Sequence, residues 1–152
     1  MTPDKPTNDA GFLDAAARII FMGGLNRQVV ETKWPGFLDA FHGFDVETVA
    51  EMTPEDVEAL AGDDRLIRYK AKLAAVVKNA GIMASVADEH GSFGAFVDAL
   101  VEDQGVDGAA KALAKRFSYI SEDGARHWLY ATGTDIGAVS DKIRAKYAPF
   151  GR

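Results

Sequence analysis

Apolar positions recur at three- and four-residue spacing along almost the whole chain, and strict alternation is nowhere sustained. Phe12, Leu13, Ala16, Ile19 and Ile20 form one helical stripe, which Gly23-Gly24 ends. Leu25 to Lys33 predicts a short second helix that stops before Pro35. Phe37, Leu38, Phe41 and Phe44 predict a third. Thr53-Pro54-Glu55-Asp56 is a helix start, with a threonine cap, proline at the first helical position and acids in the first turn. The longest element is predicted from about Leu66 to Ala87. Ser92 opens a helix to about Leu100, and Gly105 to Gly108 is a loop before a short basic helix, Ala109 to Lys115. Ser121-Glu122-Asp123 opens another that ends at Gly133, and a last helix starts at Ser140-Asp141 and stops before Pro149. The pattern predicts an all-α fold of eight to ten short helices. Residues 1–11 read as a flexible N-terminal tail and residues 12–152 as one helical domain.

Composition narrows the function classes. The 152 residues include no cysteine, so disulfides and thiolate metal sites are excluded. His42, His90 and His127 share no metal-ligand spacing and read as capping or surface histidines, so neither metal nor cofactor is expected. No apolar run reaches the ~18–20 residues of a membrane span. The polar start has no apolar core of a signal peptide, so the expected location is the cytoplasm, with no membrane partner.

A net charge of −6 argues against a simple nucleic-acid coat, but the charge is segregated. Residues 1–64 hold 13 acids and 4 bases, whereas residues 65–152 hold 10 acids and 13 bases. Bases gather at Arg65 to Lys78, at Lys111, Lys115, Arg116 and Arg126, and at Lys142 to Lys146. Such clusters are either solvated helix faces or a face for an anionic partner.

Three ordered blocks carry a resemblance. The first is Gly24-Leu25-Asn26-Arg27, continuing through Phe37-Leu38-Asp39-Ala40-Phe41-His42-Gly43-Phe44-Asp45. The second is Asp56-Val57-Glu58-Ala59-Leu60, then Leu66 to Leu73 and Lys78-Asn79-Ala80. The third is Lys111 to Tyr119, running on to Ala131 and Gly133. Together they resemble the 3-methyladenine DNA glycosylase I family of the helix-hairpin-helix superfamily. The resemblance implies an all-helical enzyme that flips a damaged base from double-stranded DNA and hydrolyses its N-glycosidic bond. It places the wedge that fills the vacated gap on Gly24 and Leu25, although by itself Leu25 reads as a core leucine. It places the phosphate-gripping hairpin at Tyr119 to Gly124, with Ser121 and Gly124 at a helix N-terminus and Lys115, Arg116 and Arg126 beside it.

The chain departs from the family at the chemistry. The base-contacting glutamate falls on Ile19 and a pocket tryptophan falls on Arg27, where guanidinium stacking replaces an indole. Trp34 is placed near the same pocket. The family's Cys/His zinc ligands are absent, and Ser121 stands at the hairpin glycine. Asp141, with Asp135 as a second choice, matches an aspartate that the wider superfamily uses to stabilise the oxocarbenium ion; read locally it is a first-turn acid favoured by the helix dipole. The expected function is excision of an alkylated purine such as 3-methyladenine. The alternative is a catalytically inactive DNA- or lesion-binding module, or a protein-interaction module, on the same fold.

Overall fold

The computed structural model describes residues 2–150, and all regular structure among them is helical. Met1 and Gly151-Arg152, the outer ends of the two predicted segments, lie outside the described residues. Helix α1 spans Asp9–Met22, α2 Arg27–Ala40, α3 Val46–Ala50, α4 Pro54–Ala61, α5 Lys70–His90, α6 Phe93–Arg116, α7 Glu122–Ala131 and α8 Asp141–Lys146. A single 3-10 turn, His42–Phe44, links α2 to α3.

Side-chain caps set most helix starts. Asn8, Asn26, Asp45, Ser92, Ser121 and Ser140 each accept from a backbone amide of the first turn. Thr53 and Asp56 complete a reciprocal capping box at the start of α4. Several predicted boundaries move, and the helix predicted to be the longest starts at Lys70 rather than near Leu66. Helix α2 runs through Pro35 to Ala40, merging two predicted helices. Proline inside a helix costs roughly 3 kcal/mol, but Trp34 and Phe37 on either side are both buried, and their packing holds the helix together. Helix α6 extends across the predicted loop and breaks only at Gly105, whose φ of 74° is left-handed. Helix α1 begins at Asp9, inside the stretch read as a tail.

That stretch also makes long-range contacts. The Asp9 carboxylate accepts from the Phe93 and Gly94 amides at 2.8 and 3.2 Å and so caps α6 from the neighbouring helix. Lys5 pairs with Asp98. Its backbone passes so near Gly133 that a Cβ there would lie 2.9 Å from Lys5 Cα.

The core joins two aromatic groups through α1. Trp34, Phe37, Phe41 and Phe44 stack successively on one side, at 4.7–6.2 Å between ring centroids. Phe12, Phe93, Phe117 and Trp128 pack on the other. Trp128 donates its indole N–H to the Phe12 carbonyl at 2.9 Å, which ties α7 to α1. Helix α1 packs against both α5 and α7, and the end of α1 and the turn before α7 border one cavity.

Candidate functional site

The α1–α2 loop is closed at both ends. The Gly23 amide donates back to the Ile20 carbonyl, and the Asn26 side chain accepts from Val29 at 3.0 Å. Between these caps Leu25 projects with 38% of its surface exposed. A Cβ on Gly24 would lie 3.9 Å from Lys72 Nζ, so the Lys72 side chain of α5 reaches the loop. The Lys72 ammonium sits 5.2 Å above the Tyr69 ring, a cation–π contact at the surface.

The second part is the hairpin between α6 and α7. Phe117 and Ile120 are buried and anchor the turn. Asn79, fully buried on α5, clamps Ser118: its amide donates to the Ser118 carbonyl at 3.0 Å, and its carbonyl accepts from the Ser118 amide at 2.7 Å. Tyr119 at the tip adopts a left-handed φ of 61° and is half exposed. Ser121 Oγ accepts from the Gly124 amide at 3.0 Å, so one donor of the α7 N-terminus is already satisfied within the chain. Glu122 and Asp123 add negative charge to the same turn.

A cavity of about 510 Å³ opens between the end of α1, this hairpin and the residues after α8. Ile19, Lys72, Tyr119, Asp123, His127 and Tyr147 are among its walls. The His127 ring stacks on Tyr147 at 4.6 Å, and its Nδ1 lies 3.9 Å from an Asp123 carboxylate oxygen. Burial pulls the His127 pKa below its ordinary value, with Asp123 pulling in the other direction. Burial likewise pushes the Tyr147 hydroxyl up.

The predicted residues divide into two groups. Ile19, Ser121 and Gly124 line the cavity, and Gly24 and Leu25 stand on the adjacent loop. Lys115 and Arg116 are exposed at the end of α6, beside the hairpin. Five residues are placed otherwise. Arg126 is ion-paired with Asp107 of α6. Arg27 presents no free guanidinium face to the cavity, because it donates to the carbonyls of Ala145, Lys146, Ala148 and Pro149 and pairs with Glu31. Trp34 is 3% exposed within the aromatic stack and donates to Asp14 at 3.0 Å. Asp141 lies away from the cavity, its side chain 98% exposed and paired with Arg144 at 2.5 Å, so the geometry gives it no catalytic position. Asp135 instead accepts from the Gly137 amide within its own turn.

Sequence reasoning missed Lys72, Lys146 and Tyr147 as cavity walls, and read His127 as a capping or surface residue. The one available signal was the four-residue spacing of Asp123 and His127, which puts both on one face of α7. Among the described residues no three His, Asp or Glu side chains gather to hold a metal. With no cysteine in the chain, the zinc site implied by the resemblance does not fit it. No helix among the described residues is long and apolar enough to cross a membrane.

Comparison with known proteins gives this arrangement a context. The chain is 44% identical over 57 residues to a DNA-3-methyladenine glycosylase of Haemophilus influenzae, covering 38% of this chain and 31% of that protein. It is 35% identical over 81 residues to DNA-3-methyladenine glycosylase 1 of Escherichia coli, covering 53% and 43%. The matched stretches therefore span less than half of either relative. A crystal structure of 3-methyladenine DNA glycosylase I superposes with a TM-score of 0.74 at 25% identity, over 87% of this chain and 82% of that one. The Staphylococcus aureus glycosylase superposes at 0.77, over 89% and 82%; at 22% identity this shows the shared fold. Residues 19–123 match the methyladenine glycosylase family, a range that takes in the α1–α2 loop, Asn79 of α5 and the hairpin turn as far as Asp123, and the chain belongs to that family.

Proposed function

We propose that this protein excises an alkylated purine, such as 3-methyladenine, from double-stranded DNA. The observation that carries the reading is Leu25, held exposed between two helix caps beside a cavity large enough for a small-molecule ring. In this reading Leu25 enters the gap as the base leaves the stack, and Gly24 allows the close approach. The base passes between the α1 end at Ile19 and the hairpin at Ser121 to Gly124. Lys115, Arg116 and Lys72 meet phosphates on either side.

The chemistry asks little of the protein. A purine alkylated on a ring nitrogen is cationic, so it takes the C1′–N bonding pair and leaves as a neutral base. Water then adds its oxygen to C1′, and its proton passes to solvent. Ile19, largely buried, gives the leaving base one apolar wall. The test is incubation of purified protein with methylated duplex DNA, scoring released bases by chromatography. Release of 3-methyladenine is the expected result. Salt-sensitive DNA binding without any release overturns the enzymatic reading and leaves a binding module.

A further inference from the structure

Lys72 stands where the loop after α1 meets the cavity. It is one of the cavity walls. Its Nζ would lie 3.9 Å from a Cβ on Gly24, the residue beside the exposed Leu25. Other lysines of this fold are neutralised: Lys70 pairs with Glu58, and Lys5 with Asp98. Lys72 forms no ion pair and no side-chain hydrogen bond among the described residues. It is half-buried, and aromatic rings hold it instead of carboxylates, Tyr69 at 5.2 Å and Phe21 at 6.0 Å. The chain has 23 acids for 17 bases, so carboxylates are plentiful, yet none is set against this amine.

Excision of a base leaves an abasic deoxyribose, whose ring opens to an aldehyde at C1′. A primary amine beside such a carbonyl condenses with it to a Schiff base. With Leu25 in the duplex gap and the base in the cavity, C1′ of the flipped nucleotide lies between the two. The Lys72 amine occupies that place, reaching the loop from the cavity wall.

We propose that Lys72 is the nucleophile of a second activity, cleavage of the DNA strand at abasic sites. The proposal rests on the reading above in that DNA enters with Leu25 as its wedge. Nζ bonds to C1′, and the carbonyl oxygen leaves as water, giving an iminium ion. The C2′ proton passes to solvent water. Its bonding pair forms the C2′=C3′ double bond, and the C3′–O bond breaks with its pair on the phosphate oxygen. Water then hydrolyses the iminium, returning the Lys72 amine and leaving an unsaturated aldehyde on the 3′ end. No oxidant or reductant is consumed.

The test uses the full chain and a duplex carrying one preformed abasic site, with borohydride added to reduce the iminium to a stable amine. The expected result is a covalent protein–DNA adduct, which nuclease digestion and peptide mass spectrometry place on Lys72. Without borohydride the strand is cut at the abasic site. Lys72→Arg keeps the charge given above to a phosphate contact and removes the primary amine, so adduct and cleavage are both lost. Mapping the adduct in the unchanged protein decides the matter even where the variant fails to fold. No adduct overturns the activity. An adduct on Lys146, which also walls the cavity, or on any other amine overturns the assignment to Lys72. Base release from methylated duplex DNA is scored separately. Its absence defeats the excision reading, while the preformed abasic site still decides the strand cleavage.

Discussion

Leu25 has little folding role to lose, because 38% of it faces solvent and its loop is held by caps at both ends. Replacing it with alanine shifts stability by no more than about 0.5 kcal/mol. If it fills the gap left by a flipped base, the same change lowers the rate of base release by roughly tenfold or more, since the unstacked base then lacks a substitute in the duplex. Thermal melting and release kinetics on one Leu25→Ala preparation separate the two effects. His127 is the converse case, a cavity residue with a folding cost. Burial sets its pKa below the ordinary 6.5. A depressed value means the unfolded chain takes up the proton first. The stability this histidine contributes is therefore complete above pH 6.5 and is lost as pH falls through the lower folded value. The midpoint of urea unfolding drops over that range, and His127→Gln flattens the drop; an unchanged pH profile in the variant counts against the buried histidine.

At the scale of elements, the hairpin owes its place to α5 rather than to its own turn sequence. Asn79 satisfies both backbone groups of Ser118, so Asn79→Ala leaves a donor and an acceptor without partners and costs about 2–3 kcal/mol. The loss is measurable as a lower urea midpoint with unchanged slope. Faster amide exchange at Ser118 and Tyr119 than in the rest of the fold locates it. This dependence was only half legible in the sequence. Asn79 stood inside the second block of the resemblance, but nothing local links it to a residue 39 positions away. Helix α2 shows the same limit from the other side. Local rules stop a helix before Pro35, and burial of Trp34 and Phe37 carries it through.

For the whole molecule, the charge segregation reads differently once folded. Of the basic cluster named from the sequence, Arg126 is engaged with Asp107, while Lys115 and Arg116 remain exposed at the hairpin. Asp123 adds negative charge at the same turn, which would oppose a phosphate bound there. Lys115→Ala is therefore expected to reduce the slope of log affinity against log salt by about 0.9, as one released counterion is lost. Asp123→Asn is expected to strengthen binding to duplex DNA with the slope otherwise preserved. Fluorescence anisotropy with a labelled duplex between about 50 and 200 mM salt reads both, and an unchanged slope for Lys115→Ala removes that residue from the interface.

The residues alone determined what depends on neighbours three or four positions apart: the helices, the capped starts at Thr53, Ser92, Ser121 and Ser140, and the blocks that carry the family. Tertiary structure decided which side chains meet. Ile19 and Ser121 line one cavity, and α1 and α7 are tied through Phe12 and Trp128. Arg27 and Trp34 were turned inward by partners distant in the chain, whereas Asp141 faces outward and pairs with Arg144 of its own helix. Periodicity states which face of a helix is apolar. It does not state what will lie against that face, because that is fixed by packing between elements more than a hundred residues apart, as between Arg27 and Ala148.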